Sequence, residues 1–280
     1  MSVKNNAIKP SASKIIGVQF AILSPEEIRK GSVAEITSRD TYINNKPVIG
    51  GLFDPRMGVL DPGLICPTDG LDYMHTPGYF GHIELARPVF YIQYLNTILK
   101  ILRCVCFKCS KLLISKEKYK QALKLREEAR WKYVFSIASK VGRCGEDIED
   151  GCGCLQPNKI RKEGLATIFA EWENKTEGEQ NIVIKLIPEM VLKTFKRISD
   201  EDVSFMGFSP LWSRPDWMIC QVMSVPPPAV RPSVKHDSQQ RSEDDLSHIL
   251  VNIIKTNSTL QEKIKNNAPA NVIDDWVTVL

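Results

Sequence analysis

The chain has 280 residues, of which 43% are apolar and 25% charged, and its net charge is +4. These proportions are ordinary for a globular protein and argue against general disorder. The first ten residues are polar, so no signal peptide is evident, and the longest uncharged apolar stretch, residues 88–99, is too short to span a bilayer. The composition therefore predicts an intracellular protein with its cysteines in a reducing compartment.

The first hundred residues are predicted to contain a strand, a short helix, a loop and an amphipathic helix. Residues 15–22 have the composition of a strand, and Ser24 followed by Pro25 and Glu27 predicts a capped helix start. Residues 50–63 are rich in Gly, Pro and Asp and predict a loop. The next helix has one apolar face, formed by Tyr91, Leu95, Ile98, Leu99 and Leu102.

Helices and short strands alternate through the middle of the chain. Ser115 is predicted to cap a long basic helix that ends near residue 140, and residues 142–158 form a loop. Strands are predicted at residues 167–173 and 181–187. A helix at residues 190–197 is then followed by a short helix that Ser199 caps.

Three successive prolines at residues 226–228 predict a stiff polyproline II rod. Residues 234–241 are polar and predict a flexible loop between this rod and a helix capped by Ser242. A plain connector or a partner ligand is an equally good interpretation of such a proline-rich segment.

Four cysteines form two pairs that are distant in the sequence: Cys106, Cys109, Cys144 and Cys152. A Cys-x2-Cys turn directs two thiolates at one ion, and a second pair from another loop completes a tetrahedral zinc site. Redox cysteines or a disulfide framework are the alternatives, because Cys-x2-Cys alone also fits a thiol redox motif. The second pair favours structural zinc.

The positive charge is concentrated near the first cysteine pair. Residues 100–132 contain eleven Lys or Arg and three Glu, a local charge of +8. This concentration is typical of a phosphate-binding face, and a solvated lysine-rich helix explains it equally well.

Five stretches follow one another in an order that is typical of a known family: GLFDPRMG (51–58), PGYFGHIELARPVF (77–90), SRPDWM (213–218), PPPAVRPS (226–233) and RSEDDL (241–246). Together they resemble the N-terminal region of the largest subunit of multisubunit DNA-directed RNA polymerases, nearest to the eukaryotic polymerase II type. The resemblance covers residues 15–280. The divergence is more similar to subunits of large DNA viruses than to those of cellular nuclei.

The resemblance implies an α+β fold, an irregular clamp of mixed helices and short strands with a structural zinc site. It implies a disordered terminus at residues 1–14, a first part of the clamp core at 15–100 and a clamp head with the zinc at 101–225. Residues 226–280 would return to the core with the proline rod, a lid-like loop and helices. The zinc ligands would be Cys106, Cys109, Cys144 and Cys152, with Cys154 beside them as a substitute.

The resemblance also implies contacts with nucleic acid. Residues 230–247 match the lid loop, which in the family lies at the upstream end of the RNA:DNA hybrid and helps to part RNA from template. Arg231, Lys235 and Arg241 would then contact phosphates, which adds affinity without sequence preference.

A second zinc site of the family, Cys-x2-Cys-x6-Cys-x2-His, is expected to be lost. The matching positions are Cys66, Asp69, Thr76 and Tyr79, so only the first ligand is retained. His75 and His82 are the nearby substitutes. We expect packing by Tyr73, Tyr79 and Phe80 to replace this metal.

The family's catalytic segment, Asn-Ala-Asp-Phe-Asp-Gly-Asp, which holds two magnesium ions, does not occur in these 280 residues. We therefore expect the chain to act as part of a nucleotidyltransferase and to contain no catalytic residue. Apolar spacing continues to Leu280, which predicts a fragment or one product of a split gene, incomplete at its C-terminus.

Two functions follow from these observations. In the first, the chain holds template DNA and the RNA:DNA hybrid together with the second-largest subunit, other polymerase subunits and initiation factors. It would act in the virion and host cytoplasm if viral, or in the nucleus if cellular. In the second, it is a free-standing zinc-stabilised module that binds nucleic acid or protein. The four histidines show no hydrolase spacing, which argues against a Cys-His hydrolase.

Overall fold

The computed structural model describes residues 14–173, 180–236 and 241–280. The disorder expected at residues 1–14 falls almost entirely outside these ranges. The helices are α1 (Pro25–Gly31), α2 (Leu95–Leu102), α3 (Glu127–Ala138), α4 (Pro188–Lys196), α5 (Asp200–Met206), α6 (Asp245–Lys265) and α7 (Ala270–Val279). Within the described ranges, no helix is both long and apolar enough to cross a membrane.

The described strands pair antiparallel and, apart from the ten-residue strand at Gly81–Phe90, are short, which together with the helices confirms the α+β class. They are β1 (Tyr42–Ile43), β2 (Lys46–Pro47), β3 (Gly81–Phe90), β4 (Lys159–Glu163), β5 (Thr167–Trp172), β6 (Ile182–Leu186), β7 (Ile219–Val225), β8 (Ser233–Lys235) and β9 (Arg241–Glu243). Pairing gives the sheets β1-β2, β3-β7, β4-β5-β6 and β8-β9. The strands expected at residues 167–173 and 181–187 are present as β5 and β6.

The ladder between β3 and β7 joins two segments that are more than a hundred residues apart in the sequence. Its register is interrupted between Glu84 and Val89. Asn257 on α6 fills the gap, because its side-chain oxygen accepts a hydrogen bond from the Ala86 N–H and its amide donates to the Glu84 carbonyl, both at 2.8 Å. A buried polar side chain thus completes backbone hydrogen bonding that the bulge leaves open.

Two hydrophobic clusters meet the two ends of this ladder, one at Ile83 and Val225 and the other at Phe90 and Ile219. The first, the core cluster, contains Ala34, Ile36, Leu52, Phe53, Met57, Ile83, Val225, Leu250 and Ile254. The second, the head cluster, is larger and is built from α2, α3, the β4-β5-β6 sheet, α4 and α5. Cys106, Leu113 and Cys144 form a small separate group.

Two of the predicted helix starts are confirmed. Ser24 accepts a hydrogen bond from the Glu27 N–H, and the Glu27 carboxylate accepts one from the Ser24 N–H, which is a complete capping box with Pro25 at the first position. Ser199 accepts from the Asp202 N–H and begins α5.

The strand expected at residues 15–22 is wrong. This segment is extended but pairs with no described strand, and Ile16 and Phe20 are more than 90% exposed. The segment has the composition of a strand, but no neighbouring strand is available to pair with it. Its one backbone link to the fold comes at the end, where the Ile22 N–H donates to the Trp212 carbonyl at 2.9 Å.

The long basic helix is also wrong as a single element. A 3-10 helix covers Lys120–Lys124, and α3 begins only at Glu127 after an extended Arg126. Arg130 closes this break, since its guanidinium donates to the Leu125 carbonyl at 3.2 Å and to the Ser204 carbonyl at 3.0 Å. Tertiary hydrogen bonds thus override the helical propensity of the lysine-rich sequence.

The proline rod is shorter than expected. Pro227 is extended, with φ −61° and ψ 155°, but Pro228–Val230 form one turn of 3-10 helix. A residue that precedes proline is kept out of the helical region. That restriction holds for Pro226 and Pro227 and is lifted at Pro228, because Ala229 follows it.

The flexible loop expected at residues 234–241 has a paired base. Strands β8 and β9 form a hairpin in which Val234 lies opposite Ser242, and residues 237–240 lie outside the described ranges. Ser242 therefore belongs to a strand and does not cap the helix that follows. Asp244 caps α6 instead, accepting a hydrogen bond from the Leu246 N–H at 2.8 Å.

Candidate metal centre and nucleic-acid interface

The side chains of the four cysteines of the predicted zinc site converge on one point. Their sulfur atoms all lie within 4.8 Å of one another. The Sγ atoms of Cys106 and Cys152 are 3.5 Å apart, and those of Cys109 and Cys144 are 3.6 Å apart. Sulfur atoms bound to one tetrahedral zinc at about 2.3 Å are separated by about 3.8 Å, whereas a disulfide bond is about 2.05 Å long. The separations fit four metal ligands and exclude paired disulfides.

Helix α2 delivers the first pair. Ile98, Ile101 and Leu102 are buried in the head cluster, so the helix places its C-terminal end firmly before the cysteine turn. There the Cys106 N–H donates to the Lys111 carbonyl and the Ser110 N–H to the Cys106 carbonyl, each at 2.9 Å. This tight turn directs both sulfur atoms to the same side.

The second pair lies in the loop that the sequence predicts at residues 142–158. The Cys144 N–H donates to the Cys154 carbonyl and the Gly153 N–H donates to the Cys144 carbonyl, both at 2.9 Å. Gly145 and Gly151 are in direct contact, since a Cβ on Gly151 would lie 2.2 Å from the Gly145 backbone. Only glycine permits this close approach, which brings Cys152 beside Cys144.

Hydrogen bonds to sulfur prepare the site for a cation. Burial raises the pKa of the Cys106 thiol, but the N–H groups of Cys109 and Lys108 and the nearby thiols lower it more strongly, to about 7. Burial raises the pKa of Cys144 well above its usual value. Metal ligation requires thiolates. The positive charge of a bound cation would therefore favour loss of the thiol protons, which the buried Cys144 does not lose readily by itself.

Gln156 supports the site, and no sequence signal identified it in advance. Its side chain is buried and donates to the Cys106 sulfur at 3.3 Å and to the Cys154 carbonyl at 2.9 Å. Its oxygen accepts from the Phe107 N–H at 3.2 Å. Cys154, the expected substitute ligand, lies beside the cluster but is not one of its four converging thiols.

The positions of the family's second zinc site also come together, but as a hydrogen-bonded group. The Asp69 carboxylate accepts from the Thr76 hydroxyl at 2.8 Å and from the Tyr79 hydroxyl at 3.1 Å. His75 bonds to Asp72, and the His82 ring lies 2.7 Å from the Ser32 hydroxyl. Two hydroxyls and a carboxylate are a poor donor set for zinc, so these residues do not fit the metal.

Aromatic packing does not take the place of that metal, which corrects the expectation from the sequence. Tyr73 is 41% exposed and Phe80 is 52% exposed. Tyr79 contributes a hydrogen bond from its hydroxyl group to Asp69.

Acidic residues neutralise part of the basic segment 100–132. Lys111 pairs with Asp150, Lys118 with Asp147 and Lys132 with Glu128. Lys116 pairs with both Glu201 and Asp202 at 2.9 Å. Seven basic residues of this segment make no ion pair with any described residue: Lys100, Arg103, Lys108, Lys120, Lys124, Arg126 and Arg130. The free positive charge of this face is therefore smaller than the sequence indicates.

Arg231, expected to contact phosphate, is fully buried. Its guanidinium donates to the Leu52 and Pro226 carbonyls, lies 3.5 Å from the Ser247 hydroxyl and stacks 5.1 Å from the Phe53 ring centre. Burial lowers the pKa of Arg231 to about 10. These contacts hold the base of the β8-β9 hairpin, and they correct the expected phosphate contact.

Arg241 is likewise used within the fold. It bonds to the Asp61 carboxylate at 2.6 Å, and its guanidinium lies 3.9 Å above the Tyr42 ring centre. Only 9% of its side chain is exposed. Of the three expected contacts, Lys235 on β8 is the exposed residue, and it lies opposite Arg241 in the hairpin.

The comparisons with known proteins agree on one family. A family model described as RNA polymerase Rpb1, domain 1, matches residues 12–280. The protein named DNA-directed RNA polymerase subunit Rpo1N from Methanocaldococcus jannaschii is 40% identical over 273 residues. The alignment covers 94% of this chain and 19% of that relative, so the chain spans about one fifth of its length.

Proposed function

The chain belongs to the RNA polymerase Rpb1 domain 1 family, and we propose that it is the N-terminal clamp portion of the largest subunit of a DNA-directed RNA polymerase. In this function it holds template DNA and the RNA:DNA hybrid during transcription. The match over residues 12–280 carries the proposal. The chain contributes shape and charge to the nucleotidyltransferase, and no catalytic residue is assigned to it. Action in a virion and host cytoplasm, or in a nucleus, stays a prediction.

The proposed metal is one structural zinc held by Cys106, Cys109, Cys144 and Cys152. When bound, zinc would tie the end of α2 to the loop at residues 142–158. Gln156 and the N–H of Lys108 orient the Cys106 sulfur from outside the ligand set. The site thus serves the shape of the head, and magnesium would be needed only by the catalytic region that is absent from this sequence.

Elemental analysis tests the metal proposal. We expect about one zinc per chain, lost in Cys109→Ala because three thiolates leave a tetrahedral site incomplete. Cys154→Ala is the matched control, since its thiol lies beside the cluster without belonging to it, and it should keep the metal. Retention of zinc by Cys109→Ala would contradict this ligand set.

Lys235 is the residue through which the hairpin is proposed to contact nucleic acid. Loss of one phosphate contact by Lys235→Ala should lower the slope of log affinity against log salt by about 0.7 for single strands or about 0.9 for duplex DNA. Lys265→Ala at the far end of α6 is the control and should leave the slope unchanged. An unchanged slope for Lys235→Ala would remove Lys235 from the interface.

Affinity purification of a tagged chain tests the function itself. We expect recovery of the second-largest polymerase subunit, initiation factors and a chain with the aspartate-triad segment. A monomer that binds DNA in a salt-sensitive manner, without polymerase subunits, would contradict the proposal and support the free-standing module. A tag fused to an unrelated protein gives the background.

A further inference from the structure

The turn around Cys66 has the backbone of a metal-binding cysteine turn. The Cys66 N–H donates to the Leu71 carbonyl at 2.9 Å, and the Gly70 N–H donates to the Cys66 carbonyl at 2.8 Å. Ile65 and Asp72 form an isolated antiparallel bridge across the base of this turn.

The same three contacts occur at Cys106 with the same residue offsets. The Cys106 N–H donates to Lys111, the Ser110 N–H donates to Cys106, and the bridge joins Val105 to Leu112. In both turns the fourth residue after the cysteine has a left-handed backbone, with φ 64° at Ser110 and 73° at Gly70. Position by position, Asp69 therefore stands where Cys109 stands in the metal centre.

One carboxylate accepts the hydrogen bonds that join the Cys66 turn to residues 76 and 79. The Asp69 carboxylate accepts hydrogen bonds from the Leu71 N–H at 2.9 Å and from the hydroxyls of Thr76 and Tyr79. Burial raises the pKa of Asp69, but these bonds and one from the Cys66 thiol lower it by more, so the net shift is downward. The carboxylate is thus charged near neutral pH and surrounded by donated protons.

We propose that this turn is a metal-free replacement for a zinc site, in which the Asp69 carboxylate, at a ligand position, replaces the cation as the charged group to which the other residues bond. A zinc site gathers electron-pair donors around a positive centre. Here the polarity is reversed, because proton donors gather around a negative centre. The same backbone is held closed by charge-assisted hydrogen bonds in place of metal–sulfur bonds.

The closed turn has a structural task that a metal would otherwise perform. The Tyr79 N–H donates to the Met57 carbonyl at 2.9 Å, and the Thr68 hydroxyl donates to the Arg56 carbonyl at 2.6 Å. Gly78 approaches Pro227 so closely that a Cβ would lie 2.7 Å from the proline ring. The turn therefore joins the segment after Asp54 to the proline turn that precedes the hairpin.

Metal content distinguishes this replacement from a hidden zinc site. We expect Cys66→Ser to contain the same zinc as the wild-type chain, whereas Cys109→Ala loses about one ion. A wild-type content near two, with one ion lost in Cys66→Ser, would overturn the proposal. The wild-type measurement alone decides the question if Cys66→Ser does not fold.

The hydrogen bonds themselves are tested by removing one donor at a time. Tyr79→Phe and Thr76→Val should each lower the melting temperature, and the loss should be the same with and without a zinc chelator. Tyr73→Phe, on an exposed side chain of the same segment, is the matched control and should melt as the wild type does. Melting temperatures unchanged in both donor variants would overturn the assignment of Asp69 as the centre.

The reverse substitution is the sharpest test of the shared geometry. The triple variant D69C/T76C/Y79H places Cys, Cys, Cys and His at positions 66, 69, 76 and 79. Because the backbone already has the form of a metal turn, we expect this variant to bind about one zinc more than the wild-type chain. A folded triple variant that takes up no additional zinc would overturn the claim that the turn keeps the geometry of a metal site.

Discussion

Arg231 and Arg241 carry positive charge into the fold, and each is compensated by different contacts. Arg231 has neutral oxygen acceptors and the Phe53 ring, whereas Arg241 has the Asp61 carboxylate and the Tyr42 ring. The acceptor of Arg231 at Leu52 is 179 residues away in sequence. Local sequence therefore showed two arginines beside a loop, which is typical of phosphate contacts, and could not show that both were already bound inside the protein.

Asp54 is a buried carboxylate whose ionisation is coupled to stability. Burial raises the pKa of Asp54. The guanidinium of Arg56 and the N–H groups of Gly50 and Arg56 lower this pKa by a larger amount, so the net shift is downward. Asp54→Asn keeps the size of the side chain and removes the charge. We expect a loss of about 1.5–3 kcal/mol in the free energy of unfolding at pH 7, as for hydrogen bonds to charged groups.

The contribution of Asp54 to the free energy of unfolding should decrease as the pH falls. A depressed carboxylate pKa contributes stability that is complete above its unfolded value of about 3.9 and is lost as the pH falls through the folded value. The difference in the free energy of unfolding between the wild-type chain and Asp54→Asn, measured by urea titration, should therefore become smaller below about pH 4. Asp275→Asn, at an exposed position, should show no difference at either pH, and a constant gap for Asp54→Asn would contradict the coupling.

Among the secondary-structure elements, the helix starts show where local rules suffice. At Ser24 and Ser199 the cap and the helix are adjacent in sequence and nothing else competes for the serine, so the capping pattern predicted both starts. At Ser242 strand pairing competes with helix capping, because Ser242 pairs with Val234 in the β8-β9 hairpin. The helix cap therefore lies two residues later, at Asp244. A capping rule contains no information about cross-strand pairing.

The start of α6 provides a direct test of this difference. Asp244→Ala should cost about 1 kcal/mol of unfolding free energy, because it removes the acceptor for the Leu246 N–H and a negative charge at the helix N-terminus. Ser242→Ala should cost only a few tenths of a kcal/mol, about the effect expected at an ordinary surface position. Denaturant titrations of the two variants decide between the caps, and a larger loss for Ser242→Ala would place the cap where the sequence pattern did.

At the scale of the whole molecule, the sequence predicted which four cysteines converge, but not the interactions around them. Cysteine spacing was sufficient for this because two cysteine pairs in separate loops fit the ligand spacing of one tetrahedral site. The partners of the basic segment were not predictable in this way. Lys111 finds Asp150 and Lys116 finds Asp202 only after the loop at 142–158 and helix α5 pack beside the first cysteine turn.

The division into two hydrophobic clusters predicts how far the influence of the metal centre extends. The small group formed by Cys106, Leu113 and Cys144 shares no residue with the core cluster, which includes Ile83 and Val225 at one end of the β3-β7 pairing. Loss of zinc should therefore loosen the surroundings of the four cysteines locally and leave the core cluster closed, since local openings can occur with less free energy than global unfolding.

Hydrogen exchange of Cys109→Ala against the wild-type chain measures this directly. We expect faster exchange in residues 104–114 and 142–156, where backbone hydrogen bonds surround the four thiols, and unchanged protection in residues 33–37 and 81–84. Cys154→Ala should exchange as the wild-type chain does. Equal acceleration in the two regions would show that the metal centre stabilises the whole chain as one cooperative unit, because protection of the core would then depend on a site that it does not touch.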